Sequence, residues 1–571
     1  MIGTISLNMR KPLLIGLGLC SLLLSCSKDD DPATKEDPAI ENPAEPMFSA
    51  QLHPIGIENR GGSAVFVDDR SGAIFNPRGT NYFNIVSTAG GFQDRFFHPN
   101  QFSRAVIRAV LQKLKMNGYN TVRIFLDTCS DDPNCIGNID GPGLNKSYVQ
   151  NIATLMDMAK EEDFFLILTS NDLPSQGGYW ELSNQGSNDL IDGYRNSHYL
   201  TSQGVESAVK YWDDLMQALY REEAEFSHVL AWSILNEQWY FGSTPPFNLN
   251  TGSVSTANGK TYSLSSAVAK RNMAEESVLY YIEKVSEVIK SYDSDGLVTM
   301  GVFAPNHPHL WRQGDFKYVE TSEIVNNSLL DFLDLHAYPA TSTLSKLMEN
   351  FNVRDPDAKP ILMGEVGAFV ADFAEVTSAG QALQKWMAQS CSFGFDGWLT
   401  WGWERAPLAI GDATWSFLDQ EEHLMLELSP NKYPDACNET WLGAENLALG
   451  KKVTASNFIV DEVPEFAVDG DITTQWGAGS GPTQWLEIDL GGAFDITHIS
   501  MVVSQFPEGN TTHTIWIRGD SGGYTELITH SGVTEDNDRL EWSGEAAGIR
   551  FVKIETTASP SWVSWKEVEV Y

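Results

Sequence analysis

No cluster of lysine or arginine interrupts the acidic balance of this 571-residue chain, in which 38 basic residues face 76 acidic ones for a formal charge of −38. Such a field repels phosphate backbones and anionic lipid heads, so nucleic acid is set aside as a partner and a neutral ligand fits best. Beyond the first two dozen residues no stretch is apolar enough to cross a membrane. Clustered histidine and carboxylate ligands, which a metal-dependent hydrolase needs, are absent from the linear sequence. No glycine-rich turn follows the first strand, which removes the phosphate cradle of a doubly wound nucleotide-binding sheet. Hydrophobic residues make up 42% of the chain and aromatics 11%, so the bulk of it folds.

The length exceeds what one core can organise, so at least two folded domains are expected. At the start, Arg10 and Lys11 precede an apolar run over residues 12–24, the length of an export signal and too short to span as a helix. The run ends in Leu23-Leu24-Ser25-Cys26, which resembles the lipobox of bacterial lipoproteins. That resemblance implies cleavage of residues 1–26 as a signal peptide, lipidation at Cys26 and membrane attachment through this N-terminal anchor only. Ser27-Lys28-Asp29-Asp30-Asp31 resembles the acidic export tag of surface lipoproteins in Bacteroidetes, which implies an outer-membrane protein exposed on the cell surface. Residues 27–47 form an acidic, proline-containing linker with almost nothing to bury. Cys129 and Cys135 bracket a short polar loop that suits a disulfide in an oxidising compartment or half of a metal knuckle, and Cys391 and Cys437 are left unassigned.

Across residues 48–440, short apolar runs alternate with amphipathic helical stretches such as 104–116, 205–221 and 273–292. Eight strands are expected, at Gly79-Thr80-Asn81-Tyr82, Thr121 to Phe125, Phe165 to Thr169, Val229 to Ile234, Leu297 to Met300, Phe332 to Leu335, Ile361 to Gly364 and Gly397 to Trp401. Eight parallel strands close a (β/α)8 TIM barrel, an α/β fold whose active sites lie at the carboxyl ends of the strands. Arg123, Asn171, Asn236, Glu237, His336, Tyr338, Glu365 and Trp401 fall at those ends. Long loops over 172–202 and 241–266, rich in Ser, Asn, Gly and aromatics, are expected to wall a cleft. From residue 446 to 571 the pattern becomes short strands without helical period, an all-β jelly-roll sandwich.

Cleaving a glycoside needs one carboxyl group to protonate the leaving oxygen and a second to attack or to activate water. Trp232-Ser233-Ile234-Leu235-Asn236-Glu237 and Ile361-Leu362-Met363-Gly364-Glu365-Val366-Gly367 supply such a pair at two strand ends. These motifs, in type and strand order, resemble glycoside hydrolase family 5 and its clan A relatives. The resemblance implies Glu237 as acid/base, Glu365 as nucleophile, retention of configuration, and Arg123, His336 and Tyr338 around the nucleophile. It also implies Asn236 on the sugar 2-hydroxyl, with Asn171 nearby, and Trp401 flooring the reacting subsite. A cation and a phenol beside Glu365 are expected to lower its pKa, and an apolar setting to raise that of Glu237. The family's usual histidine after the third strand is replaced by Thr169-Ser170-Asn171-Asp172, and its usual proline after the acid/base by Gln238. Trp180, Tyr194, Tyr199, Trp239 and Trp311 are candidates for further subsites.

The C-terminal part resembles the factor 5/8 type C or discoidin fold, including carbohydrate-binding module family 32, in Asn446 to Lys451, Ala467-Val468-Asp469-Gly470-Asp471, Thr474-Gln475-Trp476, Trp485 to Gly491 and Trp565 to Tyr571. The resemblance implies one structural Ca²⁺, for which Asp469, Asp471, Thr474 and Glu567 offer hard oxygen ligands, or else a turn held by Asx hydrogen bonds. Trp562, in a Ser-Pro-Ser-Trp loop, is the candidate stacking platform. No cofactor is expected for catalysis. The expected protein is an endo-acting β-glycoside hydrolase of mannans or β-glucans, and the alternative is a catalytically silent surface glycan binder.

Overall fold

Apolar runs too short for helices become the strands of one parallel sheet in the computed structural model, which describes residues 52–88, 91–126, 132–307, 315–340, 343–408, 413–437, 446–470, 474–536 and 538–571. The strands are β1 (Arg78–Asn81), β2 (Thr121–Phe125), β3 (Phe165–Thr169), β4 (Val229–Ser233), β5 (Leu297–Thr299, resuming as Gly301–Phe303), β6 (Leu333–Ala337), β7 (Ile361–Val366) and β8 (Phe395–Thr400). Each pairs in parallel with its sequence neighbours, and β8 returns to β1. The first half of β5 pairs with β4 and the second half with β6, so the interruption at Met300 does not open the ring. The expected closed (β/α)8 barrel is what forms. Residues 1–51, with Cys26, and Cys129, Trp311 and Asp471 lie outside the described residues. Among the described residues, no helix is long and apolar enough to cross a membrane.

Helices α1 (Arg104–Met116), α2 (Lys146–Glu162), α3 (Ser202–Arg221), α4 (Ala267–Tyr292), α5 (Ser322–Asn327), α6 (Leu344–Phe351) and α7 (Val376–Cys391) surround the strands. Ser103, Asn145, Thr201, Ser266 and Thr343 cap five of them by accepting backbone N–H bonds, which explains where the chain enters each helix. On α3, Val205, Ala208, Trp212, Leu215 and Leu219 recur at helical spacing and are buried. The 172–202 and 241–266 stretches are more ordered than expected. The first holds short helices at Tyr179–Asn184 and Tyr194–Leu200, and the second a hairpin of Ser253–Ser255 with Thr261–Ser263.

The two ends of the barrel differ in chemistry. At the amino ends of the strands, an antiparallel hairpin of Ile55–Arg60 and Ser63–Asp68 plugs the bore, packing Ile55 and Phe66 against Phe165, Leu230, Phe332 and Leu362. The carboxyl ends carry the polar residues described below.

The C-terminal sandwich has its own core around Trp476, Leu486, Ile488, Val552 and Trp565. Its strands are β9 (Lys452–Ala455), β10 (Trp476–Gly477), β11 (Gln484–Val503), β12 (Gly509–Arg518), β13 (Thr525–Thr534), β14 (Arg539–Ala558) and β15 (Ser564–Val570). All described pairings are antiparallel, and the long β11 and β14 run side by side with register shifts between Asp489 and His498. A half-buried ion pair joins sandwich to barrel: Lys385 Nζ on α7 donates to Glu569 Oε1 at 2.6 Å and to the Tyr571 hydroxyl at 2.8 Å. Burial would raise the Glu569 carboxyl, but Lys385 and Arg539 outweigh it and hold the group at about 2.

Cys135 is disulfide-bonded. Cys391, the last residue of α7, is disulfide-bonded to Cys437 across 46 positions of sequence. Closing a loop of that length removes unfolded-chain entropy worth about 4 kcal/mol on the loop-closure model. The double variant Cys391→Ser/Cys437→Ser is therefore expected to unfold at lower denaturant by roughly 2–4 kcal/mol, with dithiothreitol producing at least that shift in the unmodified protein, where it also reduces the bridge at Cys135. An unchanged midpoint in both experiments would show that this bridge adds nothing to stability.

Candidate active site

Strand periodicity decides which side chains enter the bore. On β2, Val122 and Ile124 pack outward beneath the helices, so Arg123 between them points inward. On β6, Leu333, Leu335 and Ala337 pack outward, leaving Asp334 and His336 inside. Strand β7 needs a further device. Its register slips between Met363 and Val366, both outward, and this bulge lets Glu365 join the inward set beside His336. Gly364 is the residue that makes room: a Cβ there would lie 1.7 Å from Asp334 Oδ1. Asn236 and Glu237 stand just beyond the end of β4.

The fully buried Arg123 organises these groups. Its Nη1 donates to Glu365 Oε1 at 2.7 Å and to Asn81 Oδ1 at 3.0 Å, and its Nη2 donates to Asn236 Oδ1 at 2.6 Å. The Tyr338 hydroxyl donates to the other oxygen of Glu365 at 2.8 Å. His336 Nδ1 lies 2.9 Å from Glu237 Oε1 and 3.5 Å from Glu365 Oε2. Beneath them Asp334 is 3.6 Å from both Arg123 Nε and His336 Nε2. One side-chain oxygen of Glu237 and one of Glu365 lie within 4.8 Å of each other, with His336 between.

Three carboxylates thus face two cations. Burial lowers the His336 imidazole, but the negative charge of Glu365 and the bonds to Asp334 and Glu237 raise it to about 9. For Glu237, burial acts upward but the His336 bond and charge prevail, and the carboxyl is held below its ordinary value. Burial, with the charge of Glu237, lifts Glu365 above its ordinary value against the pull of His336 and Arg123. This reverses the expected order of the two carboxyls. The reason is geometric: the imidazole sits closer to Glu237 than to Glu365.

Other expectations fare differently. Asn171 comes within 3.5 Å of Asn236. Trp401 lies half-buried beside β7, its ring 4.7 Å from Phe83 and 5.7 Å from Phe125. Trp180, Tyr194 and Trp239 gather near Phe241 on the Glu237 side, whereas Tyr199 is packed in the core and offers no surface to a ligand. Glu237, His336 and Glu365, each expected at the carboxyl end of a strand, bring one ligand atom each within 4.8 Å. Their positions 237, 336 and 365 carry no metal-ligand spacing, and barrel closure is what brings them together. Its donors suit proton transfer better than a metal, because Arg123 and Tyr338 already occupy both oxygens of Glu365. Sequence reasoning missed Asp334 and Asn81. For Asp334 the signal was an acid between two leucines of a buried strand.

In the sandwich, the Thr474 hydroxyl donates to Asp469 Oδ2 at 2.9 Å, and the Gly470 amide donates to Glu567 Oε2 at 3.1 Å. Glu567 is buried, its Oε1 has no hydrogen-bond partner among the described residues, and burial beside Glu569 and Asp469 raises its carboxyl to about 9. An orphaned buried oxygen next to a second acid fits a hard cation. Trp562 is 60% exposed.

Comparison with known proteins adds the following. Residues 452–568 match the F5/8 type C domain model. The chain is 22% identical over 320 residues to a mannan endo-1,4-beta-mannosidase of Cryptopygus antarcticus, covering 51% of this chain and 72% of that protein. Among solved structures, the endo-1,4-beta-mannanase of Rhizomucor miehei aligns at 16% identity over 67% of this chain and 99% of its own, with a TM-score of 0.45. Chitosan-binding module 1 of a chitosanase/glucanase from Paenibacillus sp. IK-5 aligns at 25% identity over 22% of this chain and 99% of its own, with a TM-score of 0.20.

The raised His336 imidazole makes a signed forecast. A group held at about 9 in the folded protein, against about 6.5 unfolded, contributes stability that is complete below pH 6.5 and is lost as pH rises through 9. Unfolding free energy should therefore fall by on the order of 1–3 kcal/mol between those values. His336→Gln should flatten that fall when both proteins are titrated with denaturant at pH 6.5 and 9.

Proposed function

We propose that the barrel is a retaining, endo-acting β-glycoside hydrolase that cuts a neutral polysaccharide of mannan or β-glucan type. The observation that carries this reading is the approach of Glu237 and Glu365 across the barrel mouth, with one oxygen of each within 4.8 Å. Retaining enzymes place their carboxyl groups about 5–5.5 Å apart, close enough for one to bond the anomeric carbon while the other reaches the leaving oxygen. The acidic field suits a neutral substrate. Mannan is favoured among neutral glycans by the likeness to the Cryptopygus mannosidase.

In this reading Glu365, oriented by Arg123 and Tyr338, attacks the anomeric carbon as Glu237 protonates the departing oxygen. The bond to the leaving sugar breaks and a glycosyl ester on Glu365 forms. Glu237, now a base, takes a proton from water, which attacks the same carbon and releases Glu365, so configuration is kept. The acid's proton is stored on the His336 side of the 2.9 Å bond and shifts to Glu237 as substrate covers the pair. Asn236, fixed by Arg123, is placed for the sugar 2-hydroxyl, and Trp401 floors the glycone subsite. No metal or cofactor is assigned to these steps.

The same proposal extends to the flanks of the chain. Cys26 carries a lipid that anchors the protein in the outer membrane, exposed on the cell surface, and no other membrane contact or nucleic acid is assigned as a partner. The sandwich binds glycan through Trp562 and holds Ca²⁺ with Asp469, Thr474, Glu567 and the sequence-adjacent Asp471.

Glu365→Ala should lose turnover on mannan by at least about 10³-fold per folded molecule, with the folded fraction measured alongside because the substitution also unpairs Arg123. Glu237→Ala should lose about 10²–10⁴-fold on mannan yet form its glycosyl intermediate readily from a dinitrophenyl glycoside, whose leaving group needs no proton. Full activity in the first variant, or equal losses on both substrates in the second, would remove the assignment. For the sandwich, Ca²⁺ at 100 times its dissociation constant should stabilise by about 2.7 kcal/mol. The gain, read as a higher melting temperature, should vanish with chelator and in Glu567→Ala; no shift in the parent protein would refute the site.

A further inference from the structure

One arginine outside the site just described grips the segment that carries Glu237. Arg195, on the short helix Tyr194–Leu200, donates from Nη1 to the backbone carbonyl of Glu237 at 2.9 Å. Its Nη2 pairs with Asp172 Oδ2 at 3.1 Å, and its guanidinium lies 4.5 Å from the centre of the Trp239 ring. The arginine therefore holds the acid/base residue by its main chain and the residue two positions on by its ring. The next residue of the helix continues the grip: the Phe241 amide donates to Asn196 Oδ1 at 2.9 Å, and Asn196 Nδ2 donates to the Phe241 carbonyl at 3.2 Å.

What holds the arginine is equally specific. Asp172 stands just past the end of β3, and its second oxygen lies 3.1 Å from His198 Nδ1. Its neighbour Asn171 touches Asn236. The end of β3 thus reaches the Asn236-Glu237 pair by two routes, directly through Asn171 and through the Asp172–Arg195 pair. Both members of that pair are largely removed from solvent, where a bidentate or stacked guanidinium is hard to replace by an ammonium.

We infer that Arg195, held by Asp172, is a positioning residue for the general acid: it fixes the backbone of Glu237 so that the carboxyl meets the leaving-group oxygen. The inference rests on the glycosidase reading above and deepens it. Displacing the main chain of an acid by about 1 Å costs proton transfer on the order of 10²-fold, whereas attack by Glu365 on the far side of the sugar is left intact. The effect must therefore depend on how badly the leaving group needs a proton. A purely structural arginine would lower all substrates together.

The test compares kcat/KM on mannan oligosaccharide with that on the dinitrophenyl glycoside of a mannan oligosaccharide, in the full chain and in Arg195→Gln, with melting temperatures measured alongside. The expected result is a loss of roughly 10–100-fold on the oligosaccharide against about 3-fold or less on the activated mannoside. Asp172→Asn should show the same skew at smaller size, and it decides the matter if Arg195→Gln does not fold. Equal losses on both substrates, or none, overturn the positioning role while leaving the hydrolase reading standing. A parent protein inactive on both substrates and on β-glucan counterparts overturns that reading, and this inference with it.

Discussion

A guanidinium with no exposed surface must be met on every side by acceptors, and Arg123 imposes that demand on the mouth of this barrel. Its two terminal nitrogens donate to Asn81, Glu365 and Asn236, while its Nε lies 3.6 Å from Asp334 as a charge contact without a hydrogen bond. Asn81, Asn236, Asp334 and Glu365 answer from β1, the end of β4, β6 and β7. Strands far apart in sequence are therefore constrained to one arrangement by a single buried charge. Removing it would leave Asp334 and Glu365 to share the charge of His336 with Glu237.

The same charge orders the proton chemistry. With Arg123 committed to Glu365, the next carboxyl outwards takes the imidazole, and His336 sits closer to Glu237 than to Glu365. A phenol on Glu365 completes a division in which one carboxyl has two donors that keep their protons and the other has a partner that can exchange one. Proximity of the two acids alone would not separate their roles, because coupled carboxyls share a titration. The asymmetry comes from what each one touches.

The barrel was legible in the sequence because its strands are apolar runs at regular intervals and its helices repeat at helical spacing. The eight expected strands all appear, with β5 divided at Met300. The candidate site was legible where a polar residue ends an apolar strand, as at Asn236 and Glu237. It was not legible where the decisive fact is a contact between distant strands. Asp334 reads as an ordinary acid until closure sets it under Arg123 and His336, and Arg195 reads as one more polar residue of a long loop. The opposite shifts of the two carboxyls were hidden for the same reason, since they follow from burial and from contacts of His336 and Arg123 that only closure makes. Nor does any residue pattern announce the slip of β7; Gly364 hints at it only once the approach of Asp334 is known.

Stability and chemistry are separated along the barrel axis. At one end Phe66 packs edge-on against Phe332 at 5.1 Å, and the hairpin that carries it buries only apolar surface in the bore. At the other, three carboxylates and two cations are held a few ångströms apart with Asp334 fully buried. Desolvating that cluster opposes folding, and hydrogen bonds within it return only part of the loss. The surplus has to come from elements that make no contact with the cluster: the plug, the capped helices and the loop closed by Cys391 and Cys437. Substitutions at the plug should therefore act on the folded fraction and leave the properties of the folded molecule unchanged, whereas those around Arg123 act on both, because there the same contacts serve the packing and the charge.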